Sequence, residues 1–532
     1  MNSKLLSTFL KAKPYQGQSL ITPYVVILLF LLAALVYSLY GFYGPLVQDD
    51  SFYLYCGQRI AAGVPPYVGV FQGTTPIASM LMGFGVMLAE MMGWNDIITV
   101  RVVFFFISCL TVVVVYLLAA YLFNSMRTGV FSAMTFIAFH GFALHAASGP
   151  RAKTPMLLFE ILNLLFTAKK LWFWAGFFGS LSFLVWQPAG IYPLITFIIA
   201  VSQPKGQKYQ AVSQTLLGII FPMVLIGGYF AYHHALPDLL EGSLLFHLSV
   251  QLDRSLLYET SFLSRLTRPL GSVGFGYRSM MLPIFIGLVM ISLFYLWRRT
   301  YNKNWSSTLT TDPFSVILLT FPAIIIWSVI DFQNYPDFYI FLPYAALGFG
   351  QFIVLAIQRL EAEMNEFQSI IKYSSMFLLA TTLLGVSLYN AVTYNKKNNG
   401  ALHRQIQFAR QLEERFEKES GTRMKLLSIN DTKVLVFLKR VNPTRYVLIN
   451  GGGDHEYIHA TTPGGFEGWL RSFDEYDPDV IVLGWTWGWG NLSKLRHWLK
   501  TKYTKEKIEG MEEVGVVVYV KKGQSSPSSG SD

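Results

Sequence analysis

Residues 48–76, QDDSFYLYCGQRIAAGVPPYVGVFQGTTP, decide how the rest of this chain is read. They follow an apolar span, residues 21–42, about long enough to cross a hydrocarbon core of ~30 Å. Asp49 and Asp50 therefore stand where the chain leaves the bilayer, a place where ionisable groups are costly and point to function. After them, residues 53–62 carry aromatic and aliphatic side chains at helical spacing. Gly63 and Pro65-Pro66 stop the pattern. The stretch predicts a short helix lying on the membrane face.

Composition agrees with a membrane setting. The chain has 532 residues, 52% hydrophobic and only 14% charged, where a soluble protein carries about a quarter. The net charge of +10 sits in short clusters between apolar spans, which is the positive-inside pattern rather than a nucleic-acid stripe. Only Cys56 and Cys109 are present, so neither a disulfide framework nor a zinc site is expected. Lys4, Lys11 and Lys13 precede the first span without a small-residue cleavage site, and the span reads as a retained anchor.

Charge also sets the expected parity. If residues 77–92 do not cross, then Arg127, Lys169-Lys170, Lys205, Lys208, Arg298-Arg299 and Lys303 share the cytoplasmic side with Lys4. If they cross, all of those cations face outward. Residues 77–92 are therefore expected to be re-entrant or interfacial. Further spans are expected at 97–118, 129–144, 155–167, 171–186, 189–201, 211–232, 273–297, 314–330, 338–357 and 373–392. With the first they make about eleven, several of them short. This parity puts residues 148–154, Gln187-Pro188, 233–272 and 331–337 outside with Asp49, where they are candidate walls of a site.

Past Asn390 the composition changes. Residues 395–421 read as a charged amphipathic helix, and 434–438, 446–449, 480–483 and 516–520 as strands around a helix at 492–502. The expected architecture is a helical membrane domain (1–393) with its first outer loop at 43–76, then an outer α/β domain (394–522). The Ser/Gly/Pro tail at 523–532 is expected to be disordered.

A carboxylate at the outer face, near cations and a lipid-facing groove, suits transfer from a sugar whose leaving group is already a phosphate. One base takes the acceptor's proton and cations hold the phosphate. Glycoside hydrolysis would instead call for a carboxylate pair. Asp49 is the candidate base. Arg151, Lys153, Arg265, Arg268 and Arg278 are candidates to hold a lipid phosphate.

The same residues carry a family resemblance. Gln48-Asp49-Asp50, the aromatic helix, Gly63-Val64-Pro65-Pro66-Tyr67 and Thr75-Pro76 resemble the first extracytoplasmic loop of the GT-C glycosyltransferases, above all the protein O-mannosyltransferase-like branch. The likeness extends to Arg101 and to Ser148-Gly149-Pro150-Arg151-Ala152-Lys153. Residues 331–338, DFQNYPDF, and Leu342-Pro343-Tyr344 are similar to a segment of dolichol-phosphate-mannose mannosyltransferase-like proteins. The resemblance implies a GT-C fold, Asp49 as catalytic base, and inverting transfer from a polyprenyl- or dolichyl-phosphate sugar. The sugar is expected to be a hexose, mannose first, and the acceptor a glycan, a lipid-linked glycan or a protein. Lys153 stands where many relatives carry an acidic residue, so no metal or other cofactor is expected. Contact with sugar or acceptor would fall to Asp50, Gln187, Asp331 and Asp337.

Plainer readings stand beside these. Asp49 and Asp50 suit helix capping, and Arg151 and Lys153 suit snorkelling to headgroups. Asp331 and Asp337 suit capping or salt bridges in their loop. His140 and His145 read as core histidines, and His233-His234 lack a carboxylate partner at ligand spacing. Gly451–Gly453 reads as a turn. Trp485, Trp487 and Trp489 suit either sugar stacking or the headgroup layer. For the whole chain the alternatives are a transporter or flippase of a lipid-linked or polar substrate, and a non-catalytic scaffold.

Overall fold

Among the described residues before 400, apolar runs such as the 11-residue Ile191–Val201 and the 30-residue Ser369–Asn398 become helices. In a hydrocarbon core only a helix, or a closed barrel, satisfies every backbone polar group internally. The computed structural model describes residues 23–250, 262–301, 309–332, 335–362, 369–420, 423–449, 453–486 and 489–523. Lys4, Lys11, Lys13, Lys303, Gln333, Asn334, Gly451, Gly452, Trp487 and residues 524–532 lie outside the described residues.

Among the described residues, five stretches are long and apolar enough to cross a membrane: Asp96–Phe123, Lys205–Tyr232, Arg278–Thr300, Tyr335–Arg359 and Ser374–Glu417. A sixth candidate is a bent pair, Met126–Ile137 and His140–Ser148, which meet at 67°. The sequence predicted one span there. The break falls at Ala138-Phe139, and the second helix opens without a side-chain cap. Shorter apolar helices include Pro23–Ser38, Ile77–Met92, Trp172–Val185 and Ser315–Asp331. The 16 residues of Ile77–Met92 rise only ~24 Å, less than the ~30 Å core, and Gly93 ends them at φ +67°.

The chain divides into two compact units. One comprises Met1–Phe42, Arg101–Ile226 and Thr260–Lys397; the other comprises Tyr43–Val100, Gly227–Glu259 and Asn398–Asp532. In the first unit, helices Met281–Tyr301 and Leu342–Ala362 touch backbone to backbone. A Cβ on Gly287 would lie 2.0 Å from the Ala345 carbonyl oxygen, and one on Gly348 2.0 Å from that of Gly287. Small residues permit this close approach, and buried polar side chains tie further helices together. Asn163 Nδ2 donates to the Ala175 carbonyl and to Thr196, and Thr128 donates to Gln351.

The second unit contains a four-stranded sheet in the order β1-β2-β4-β3, with β1 Leu426–Ile429, β2 Val480–Leu483, β3 Tyr503–Glu506 and β4 Val517–Lys521. β1 pairs parallel with β2, while β4 pairs antiparallel with both β2 and β3. Helices Gly465–Tyr476 and Leu492–Lys502 bury Phe466, Trp469, Phe473, Leu495 and Leu499 with Leu427, Ile429 and Ile481 of the sheet. Strands at 480–483 and 516–520 and the helix at 492–502 were legible; two other expected strands were not strands. Residues 433–438 form a helix instead, opened by Asp431 Oδ1 accepting from the Lys433 N–H at 2.8 Å and closed by Lys439 at φ +51°. A short apolar run carries no period that separates the two choices. Residues 446–449 stay irregular, and the Ile449 N–H donates to the Asn430 side chain, not to a neighbouring strand.

Candidate functional site

Asp49 and Asp50 occupy the first turn of the helix Gln48–Ala61, hereafter the loop helix. Acidic groups there meet the positive end of the helix dipole, worth about 0.3–1 kcal/mol each. Val47 provides no side-chain cap. Asp50 is 1% exposed and Asp49 is half-buried.

Four polar side chains on the loop helix recur at positions 48, 51, 55 and 58, one helical stripe. All four meet the segment 430–442 of the same unit. Gln48 Nε2 donates to the Asn430 carbonyl at 2.8 Å, and the Ser51 and Thr432 hydroxyls lie 2.8 Å apart and buried. The Asn442 N–H donates to the Tyr55 hydroxyl at 2.9 Å, and Gln58 Nε2 donates to the Val436 carbonyl at 3.1 Å and to Asp96 at 2.7 Å. Elsewhere on the helix, Gly57 packs on the backbone of Met82 and Gly83, where a Cβ would come within 2.8 Å. The loop helix is thus held on two sides.

The turn that follows is held as well. The Tyr67 hydroxyl donates to the Thr74 carbonyl at 2.7 Å, and the Phe71 N–H to the Arg445 carbonyl at 2.8 Å. Phe71 stacks on Tyr457 at 5.4 Å and meets Phe246 edge-on. Beside these rings, Arg445 and the Tyr457 hydroxyl both donate to Glu241 at 2.7 Å. Burial works against the Arg445 cation, but its hydrogen bonds to Glu241 and Tyr446 outweigh that and hold its pKa above the ordinary value. Burial and the Glu241 hydrogen bond push the Tyr457 phenol up.

The other eight residues named from the sequence belong to the first unit. Arg151 is half-buried and follows a cis Gly149-Pro150 bond. The fully buried Arg101 holds that bend, donating from Nε to the Gly149 carbonyl at 2.6 Å and from Nη1 to that of Phe42. Lys153 opens the next helix, ion-paired with the buried Asp337, and its Nζ lies 4.1 Å from the centre of the Trp186 ring. Gln187 begins the 3-10 turn Gln187–Gly190, and Asp331 ends the helix Ser315–Asp331. Arg265 is half-buried and Arg268 exposed on the helix Phe262–Gly276, while Arg278 is exposed on the turn after it. The structure therefore brings Lys153 and Asp337 together. Beside the latter, Tyr335 hydrogen-bonds His145 Nε2 at 2.8 Å and packs against Phe275.

Residue-by-residue reading of the sequence missed Asn430, Thr432, Asn442, Glu241 and Arg445. Each is an ordinary polar residue in a loop or short helix, and its partner is between 204 and 387 positions away.

No protein-family model and no curated protein matches the sequence. Solved structures do match. The chain is similar to ArnT from Cupriavidus metallidurans in the apo state, with a TM-score of 0.56 and 13% identity over 94% of this chain and 99% of that one. It is also similar to the same protein bound to undecaprenyl phosphate, with a TM-score of 0.52 and 12% identity over 95% and 100%. At these identities the likeness carries the fold: the chain is a polytopic helical membrane protein of the GT-C fold, with a small sheet in its C-terminal region.

Proposed function

We propose that this protein is a membrane glycosyltransferase that takes a sugar from a polyprenyl phosphate at the outer face of the membrane. The observation that carries the reading is the fold shared with ArnT over nearly the whole of both chains, one of those structures holding undecaprenyl phosphate. The half-buried Asp49 carboxylate in the first turn of the loop helix supports it.

In the proposed reaction Asp49 accepts the proton of the acceptor hydroxyl as that oxygen attacks the anomeric carbon. The bond from that carbon to the phosphate oxygen breaks, the polyprenyl phosphate leaves, and the configuration inverts. Negative charge grows on the phosphate, so cations lower the barrier. Arg151, Lys153, Arg265, Arg268 and Arg278 are the proposed cations, and Lys153 is also ion-paired with Asp337. A hexose, with mannose first, remains the proposed sugar; a glycan, a lipid-linked glycan or a protein is the proposed acceptor. No metal is required by this scheme.

The bent pair Met126–Ile137 and His140–Ser148 favours a second reading, a transporter built on broken helices. One experiment separates them. Purified protein is incubated with a panel of labelled polyprenyl-phosphate sugars and a membrane extract as acceptor source. Label leaving one lipid for an acceptor supports transfer; intact lipid-linked sugar moved across proteoliposomes, with no cleavage, supports transport.

A further inference from the structure

We infer that the segment 430–442 is a positioning element for Asp49, setting the rotation of the loop helix without touching substrate. The inference rests on the transfer reading above and adds to it the part played by the C-terminal region.

Successive residues turn by about 100°, so 48, 51, 55 and 58 fall on one stripe and Asp49 lies about two-fifths of a turn from its centre. A helix held by one contact rotates about it; a helix held at four points over three turns does not. The four partners come from one short piece of chain: the Asn430 carbonyl, the Thr432 hydroxyl, the Val436 carbonyl and the Asn442 N–H. That piece is itself tied to its surroundings. Asn430 stands at φ +58°, where asparagine is tolerated better than most residues, and its side chain bonds the Trp485 carbonyl and the Ile449 N–H. Asn442 Oδ1 accepts from the Ser428 N–H at 2.8 Å, tying the segment to β1. Asp431 and Lys433 form a buried ion pair at 2.9 Å. Just ahead of the helix, the Leu46 N–H donates to Gln405 at 2.9 Å, so its entry is fixed as well. The sheet thus fixes the segment, the segment fixes the stripe, and the stripe aims the carboxylate. Misplacement of a reacting group by about 1 Å costs as much as 100-fold in rate.

The test uses the full-length protein with Tyr55→Phe, Thr432→Val and the double substitution, beside Thr432→Ser and Asp49→Asn. The double variant is expected to lose about 10- to 100-fold in kcat with donor KM within about twofold and the pH profile of kcat unmoved. Thr432→Ser, which keeps the hydroxyl, is expected to keep the wild-type rate that Thr432→Val loses. Amide exchange across residues 48–58 is expected to quicken in the double variant whatever the sugar. If the double variant does not yield folded protein, Tyr55→Phe alone decides, because it removes one oxygen and keeps the ring. Unchanged kcat and unchanged exchange in folded variants, with Asp49→Asn inactive, would overturn the positioning role and leave the transfer reading intact. Full activity of Asp49→Asn would overturn the reading on which it rests.

Discussion

Lys153 is ion-paired with Asp337, 184 residues further along the chain, with Trp186 against the lysine. Two residues chosen separately from the sequence as substrate contacts thus meet each other. Asp337 is 2% exposed, and a buried charge that loses its partner is strongly destabilising. Lys153→Met is expected to cost about 3–5 kcal/mol. Lys153→Met with Asp337→Asn is expected to recover most of that loss. The thermal midpoint in detergent measures both.

Glu241 accepts from Arg445 and from Tyr457 and so ties the short helices after Tyr232 to the C-terminal region. Glu241→Gln keeps the shape and removes the charge. Hydrogen bonds to charged groups contribute about 1.5–3 kcal/mol, and these side chains are only about a quarter exposed. We expect a loss of about 2 kcal/mol. Faster amide exchange at residues 236–250, measured by mass spectrometry, is the local sign.

Gly57→Ala places a methyl group 2.8 Å from the Met82 carbonyl carbon and 2.9 Å from the Gly83 nitrogen, both backbone atoms. Overpacking of this kind costs about 1–3 kcal/mol. Gly206→Ala, with nothing within 4 Å of the new methyl, is the control and is expected to be neutral or slightly stabilising. Thermal midpoints of the two variants should move in opposite directions or by clearly different amounts.

The hydrogen bond from Lys521 holds the Asp477 carboxyl below its ordinary range. A depressed carboxylate contributes stability above its unfolded pKa of ~3.9 and loses it as pH falls through the folded value. Asp477→Asn, which tolerates the φ of +53° at this position, is expected to flatten the acid limb below about pH 4. The effect should stay under ~1 kcal/mol and fade with salt, because both partners are exposed. Midpoints recorded from pH 3 to 7 at two ionic strengths check it.

The membrane fold was legible because its constraint is local: a run of apolar residues in lipid has to be helical. The end of the loop helix was legible for a similar reason, with Gly63 and Pro65-Pro66 marking where it stops, but its start was expected at residue 53 and lies at Gln48. What the sequence did not show was the stripe at 48, 51, 55 and 58. Its partners lie more than 370 residues away, and all four are carbonyl, N–H or hydroxyl groups common to many residues. The helix at 433–438 was misread as a strand because Asp431 and Lys439, not hydrophobic period, decide it. Lys153 and Asp337 were each visible as charges in expected loops, but their pairing needed coordinates.

One carboxylate, that of Asp49, is central to the proposed transfer. Wild-type and Asp49→Asn proteins, matched for thermal midpoint and for binding of undecaprenyl phosphate, are compared in sugar transfer from the donor that the panel identifies, with and without EDTA. We expect transfer to fall by at least about 100-fold in Asp49→Asn, as loss of a general base requires, with wild-type turnover unaffected by EDTA. Asp49→Asn protein that transfers sugar at the wild-type rate would contradict the account.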